Sequence, residues 1–93
     1  MKHFIIVKFH DSTNVSALYE PIKELFHKSL AIEGIRKTEV HLSNTDLPNR
    51  YDLMIEMSLT PTALKTFDNS ELHKTWKSTY GMYIADKVIF DCD

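Results

Sequence analysis

A single cysteine, Cys92, leaves no intrachain disulfide to be formed, and a reducing cytoplasm is the expected compartment. Two glycines and three prolines leave little room for long flexible loops, and the chain shows no repeats, low-complexity segments or linkers. Basic residues are also scarce. Eleven Lys and Arg against thirteen Asp and Glu give a formal charge of -2, and no short window gathers a basic patch, which argues against a nucleic-acid partner. Long apolar runs are missing as well. The N-terminal stretch "MKHFIIVKFHD" is interrupted by Lys8 and has no small-residue cleavage site after it. Neither a signal peptide nor a membrane span is expected. No glycine-rich phosphate loop, GxSxG turn, CxxC or paired-histidine zinc spacing is present, so no metal and no cofactor are expected.

What is present suits one globular domain over residues 1–93. Apolar residues make up 43% and charged residues 26%, the balance of an ordinary domain with a modest core. "HFIIVKF" (3–9) is rich in β-branched and aromatic residues and reads as a strand. "DSTN" (11–14) supplies turn and N-cap residues. From Val15 to Leu30 apolar residues recur at helical spacing, with Ser29 as a small polar interruption. Pro21 requires either a late helix start near Ser16 or a kink, and Gly34 is the expected helix C-cap. "IRKTEVHLS" (35–43) and "RYDLMIEMSL" (50–59) read as strands, the latter with Tyr51, Leu53, Ile55, Met57 and Leu59 on one face.

Thr60 and Pro61 are an N-cap and first helical residue. "DNS" (68–70) breaks that helix, and Ser70 can cap a second segment carrying Leu72, His73, Trp76 and Tyr80. Gly81 marks another break, "DKVIFD" (86–91) is the last strand, and the closing "DCD" is expected to fray. The order βαββαβ is that of the ferredoxin-like α+β fold.

Right-handed crossovers put both helices on one face of the sheet, the face of Ile5, Val7, Ile55 and Met57. The other face then carries Phe4, Ile6, Met54, Val88 and Phe90. An apolar patch of that extent predicts a second copy of the chain packed sheet against sheet, the alternative being a monomer with scattered exposed apolar residues.

The stretches "KHFIIVKFHD", "RYDLMIEMSL", "ALKTFDNSELHKTW" and "DKVIFD", in this order and spacing, resemble the stress-responsive dimeric α/β-barrel domains over residues 2 to about 91. The resemblance implies a ferredoxin-like βαββαβ subunit whose homodimer closes two four-stranded sheets into an α/β barrel. It also implies a pocket in each subunit between helices and sheet. The family includes a plant polyketide cyclase that uses a histidine on the second helix as its acid/base group, and His73 falls at that position. A second pocket histidine of the cyclase matches His3. Two positions depart from the pattern. Ser70 and Glu71 stand where the family often has His-Pro, and Phe67 stands where the cyclase has a substrate-orienting tyrosine, so no phenol is available there.

Histidine suits general acid/base work because its pKa lies close to neutrality. His73 and His3 are therefore the candidate catalytic residues. The competing reading makes His73 a partly buried helix histidine and His3 a core residue. His10, His27 and His41 are expected on the surface. Ile5, Val7, Ile22, Phe26, Ile55, Phe67, Leu72, Trp76 and Tyr80 are the expected walls of an apolar pocket for a small organic molecule. Four functions remain open: a small-molecule binder; a lyase, cyclase or isomerase using His73; a monooxygenase-like or haem-binding barrel; and a structural oligomer active in stress. Periodicity puts His73 at the edge of the buried stripe, on the side of Trp76 and His3.

Overall fold

The computed structural model describes all residues from Met1 to Asp93. Four strands, β1 (Lys2–Phe9), β2 (Ile35–Leu42), β3 (Leu53–Leu59) and β4 (Ile84–Cys92), form one antiparallel sheet in the order β2-β3-β1-β4. Helix α1 (Val15–Lys28) links β1 to β2. Helices α2 (Pro61–Asp68) and α3 (Glu71–Thr75) link β3 to β4. This is the ferredoxin-like α+β arrangement that the order of elements predicts.

Strict alternation drives the sheet. His3, Ile5, Val7 and Phe9 on β1, and Leu53, Ile55, Met57 and Leu59 on β3, are all buried, while the residues between them are half-buried or exposed. Ile5 lies directly opposite Ile55, which also faces Val40 of β2. Ile22, Leu25 and Phe26 of α1 join this layer, as do Ala63 and Phe67 of α2 and Trp76, making one core. The Phe26 ring meets Phe67 at 5.8 Å and Trp76 edge-on at 5.1 Å. Both crossovers therefore cover the same face.

Local signals set most element ends. Asn14 caps α1 through its side-chain oxygen. Thr60 caps α2, with Pro61 at the first position, and the Ser70 hydroxyl caps α3 by accepting the His73 N–H at 3.2 Å. Pro21 lies inside α1 rather than near its start. It is exposed, so water can reach the Ala17 carbonyl that its missing N–H leaves without a helical donor. Ser29, fully buried, donates its hydroxyl to the Phe26 carbonyl, so the polar gap in the apolar stripe is satisfied within the helix.

Three expectations are corrected. Gly34 does not cap α1, which stops at Lys28 and tightens into a 3-10 turn over Ser29–Ala31. Gly34 instead takes φ +92° in the turn into β2, where a Cβ would sit 2.7 Å from Thr60 Oγ1. The helical run after Thr75 continues as a π-helical turn over Trp76–Tyr80. Finally, the C-terminus does not fray at "DCD". Strand β4 reaches Cys92, with Asp91 opposite His3 and Cys92 opposite Lys2, because β1 offers a full-length partner edge.

The sheet face away from the helices is open. Phe4, Ile6 and Met54 are half-buried on it, and Val88 and Phe90 are exposed, with Phe4 and Phe90 rings 6.2 Å apart.

Candidate functional site

The cleft that gathers the candidate histidines lies between the α2–α3 segment and the β1–β4 half of the sheet. It holds about 450 Å³ and is lined by His3, Ile5, Leu64, Asp68, His73, Trp76, Lys77, Lys87, Ile89 and Asp91. Three local facts bring His73 to its rim. Ser70 starts α3 and orients its first turn. The ring packs edge-on against Phe67, centroids 5.3 Å apart. Its Nε2 stands 4.0 Å from Asp68 Oδ1 at the end of α2. The side chain keeps 18% of its surface exposed, enough for a ring nitrogen to meet both cleft and solvent.

Burial pushes the His73 pKa below its ordinary value, and the positive charge of Lys77 pushes the same way, as does that of Lys87. Asp68 opposes them, by its charge and by a backbone hydrogen bond. The charged form is thereby disfavoured, which favours the state in which an imidazole nitrogen can accept a proton.

His3 enters from β1 and is buried, 6% exposed. Its Nδ1 lies 2.5 Å from Asp91 Oδ1, a contact between residues 88 apart in sequence that exists because β4 pairs with β1 in this register. An ionised carboxylate only accepts, so Nδ1 carries the proton of this bond and, in the neutral ring, Nε2 is the acceptor. The pair sets both the ring orientation and the tautomer of His3.

The expected walls divide. Ile5 and Trp76 line the cleft. Val7, Ile22, Phe26, Ile55 and Phe67 are packed into the core at 0–1% exposure, because α1 and α2 close directly onto the sheet there. Leu72 and Tyr80 are partly buried against the same core. The Tyr80 ring lies 5.8 Å from Trp76, and burial raises its phenol pKa, with Tyr83 adding to the rise. The open space is thus smaller, more lateral and more polar than a pocket walled by those nine residues. Leu64, Asp68, Lys77, Lys87, Ile89 and Asp91 are the lining residues that sequence reasoning missed. Lys77 had a usable signal, its four-residue spacing from His73. Asp91 had one only through strand register.

Two other features draw attention. A wider groove of about 770 Å³ runs between α1 and β2, past Glu20, Lys23, Glu24, His27 and Lys28. It is lined mainly by exposed charged side chains and holds neither candidate histidine, so volume alone does not make it the site. On the open sheet face, Glu39, His41 and Glu56 place ligand atoms within 4.8 Å of one another. Lys37 already sits 3.0 Å from Glu39 and Lys2 3.8 Å from Glu56, so these carboxylates have cations beside them. His10, His27 and His41 are exposed, as expected.

No protein-family model matches the chain, and no curated protein does. Solved structures do. A dimeric protein of unknown function with a ferredoxin-like fold from Bacteroides fragilis is 18% identical, with a TM-score of 0.81 over 99% of this chain and 93% of that one. A Dabb-family protein with a ferredoxin-like fold from Mesorhizobium loti is 10% identical, with a TM-score of 0.72 over 99% and 93%. A protein from Nitrosomonas europaea, provisionally described as an antibiotic biosynthesis monooxygenase, is 17% identical, with a TM-score of 0.74 over 98% and 88%. At these identities the likeness is one of fold. The ferredoxin-like fold implied by the resemblance to the dimeric α/β-barrel domains is the fold found. No helix is long and apolar enough to cross a membrane.

Proposed function

We propose that the chain acts as a homodimer, its sheets packed face to face into an α/β barrel, and that each subunit holds a small organic molecule in the His3–His73 cleft. The observation that carries the ligand reading is the cleft itself. Two histidines from opposite ends of the chain converge in it, beside an apolar wall of Ile5, Trp76 and Ile89. Concave, part-apolar sites with a few convergent polar groups are where small ligands bind. Self-association is supported by the open Phe4, Ile6, Met54, Val88 and Phe90 face. The description of similar folds as dimeric adds to that support. A reducing compartment, the cytoplasm, suits a chain whose one thiol, Cys92, is free.

A second reading makes the cleft catalytic, a lyase, cyclase or isomerase site. The depressed pKa of His73 favours it, since a neutral imidazole at the mouth of a part-buried cleft can take a proton from carbon or oxygen and return it. His3, oriented by Asp91, is the second proton carrier. Oxygenase chemistry has only the shared fold behind it, and a fold does not fix chemistry.

The test combines native mass spectrometry with NMR. The intact protein should have the mass of two chains. A fragment library should move the Trp76 indole and His73 ring resonances together. Shifts confined to Tyr19 and His27, in the wider groove, would refute the cleft as the site.

A further inference from the structure

We propose that the molecule held between His3 and His73 is a carboxylate with an apolar body, its anionic group seated between Lys77 and Lys87. This rests on the cleft being the binding site, and it names the class of ligand the cleft takes. Lys77 follows His73 by one turn on the helical wall, and Lys87 stands on β4, the sheet wall, so the two ammonium groups flank one opening. Neither has a carboxylate within ion-pair distance, unlike Lys2, Lys37 and Lys74, and of the several lysines without a glutamate or aspartate partner these are the two that line the cleft.

The cleft's own acids do not fill the role. Asp91 is engaged by the buried His3 ring. Asp68, half-exposed at the cleft lining, stands 4.0 Å from the Nε2 of His73. An entering anion therefore meets two ammonium groups that hold no carboxylate in an ion pair, beside the polar edge of the His73 ring. Below that edge, Ile5, Leu64, Trp76 and Ile89 offer an apolar floor. A site of about 450 Å³ suits a small molecule, and this floor suits its ring or short alkyl chain. Charge-assisted contacts to two lysines separate an acid from its neutral isostere, which leaves the ammonium groups without a partner.

The two lysines also explain how ligand and proton carrier are coupled. Both ammonium groups hold the His73 pKa down in the free protein. A carboxylate between them cancels that effect, so binding raises the His73 pKa, and by linkage protonated His73 tightens binding. A ligand acid placed in this way has its reacting end within reach of a base that becomes a better proton acceptor once the site is filled.

Benzoate and its neutral isostere benzamide are the probes, titrated against the intact chain of residues 1–93 and followed by NMR at His73 and the Trp76 indole. Benzoate should bind roughly tenfold or more tightly than benzamide, and should raise the His73 pKa. The Lys77→Met/Lys87→Met protein should lose that preference, and its His73 pKa should be raised before any ligand is added. Both lysines are exposed, so the fold should survive, and Lys65→Met, outside the cleft, should behave as wild type. Equal binding of the two probes, or a preference that survives the double substitution, overturns the carboxylate proposal while leaving the cleft as a binding site. Failure of both probes to move any cleft resonance overturns the cleft reading and this proposal together.

Discussion

His73 shows how one residue's surroundings set its chemistry. Because burial lowers its folded pKa, the folded protein binds this proton less readily than the unfolded chain. Above the ordinary value of 6.5 neither state is protonated at this site, and it leaves stability unchanged. As pH falls below 6.5 the unfolded chain takes up the proton first, and the folded state is progressively disfavoured until the folded pKa is also passed. Urea denaturation at pH 7.5 and at a mildly acidic pH should show wild type losing more stability on acidification than His73→Gln. An equal loss in both would mean that the ring titrates as if unfolded. Gly34 is a second single-residue constraint. Its φ of +92° and the nearness of Thr60 Oγ1 and Ala63 Cβ predict that Gly34→Ala costs more than about 1 kcal/mol. Chemical denaturation measures this, and a neutral substitution would contradict the turn geometry.

At the scale of elements, the α2–α3 break decides where His73 stands. Ser70 accepts the His73 N–H at 3.2 Å and donates its own hydroxyl to the Phe67 carbonyl at 2.6 Å, joining the end of α2 to the start of α3. Helix α3 has only five residues before the π-helical turn, too few to persist on intrinsic propensity. Ser70→Ala should therefore destabilise the protein by about 1 kcal/mol, and amide exchange should rise selectively over Glu71–Thr75. Uniform exchange across the chain would show that the cap has no local role. Strand β4 is the opposite case. Its length is maintained by pairing with β1 from Lys2 to Phe9, which holds Asp91 against His3.

For the whole molecule, the exposed apolar residues on the second face of the sheet are the feature that a partner copy would cover. Ile6 is half-buried there, opposite Met54 on one side and Val88 on the other. In an isolated chain Ile6→Glu would leave its charge largely in water and cost little. In a face-to-face dimer it would bury an unpaired charge, at a cost of several kcal/mol, comparable to a small domain's whole stability. Analytical ultracentrifugation should show Ile6→Glu dissociating or unfolding. A variant that keeps the oligomeric state of wild type would remove this face as the interface.

The sequence by itself determined the elements whose signals are local. Alternation every second residue marked β1 and β3, because a pleated strand sends neighbours to opposite faces. Thr60 with Pro61, and Ser70, marked helix starts, because those side chains satisfy orphan N–H groups a few residues away. The faces of four cleft residues were legible in this way, His3 and Ile5 by strand parity and His73 and Trp76 by helical spacing, while the resemblance to the dimeric α/β-barrel domains implied that His3 and His73 share a pocket. What remained depended on groups distant in sequence. Gly34 was assigned to a helix end, because the side chains that restrict it, Thr60 and Ala63, are brought there only by folding. Asp91 stood at the end of the expected strand 86–91 and at the start of a tail expected to fray, and its role was hidden, since its partner His3 lies 88 residues away and is reached only through the β1–β4 register. Whether Val7, Ile22 and Phe67 wall a cavity or fill a core depended on how closely the helices settle on the sheet. Side-chain packing between layers decides that distance, and residue spacing along the chain does not encode it.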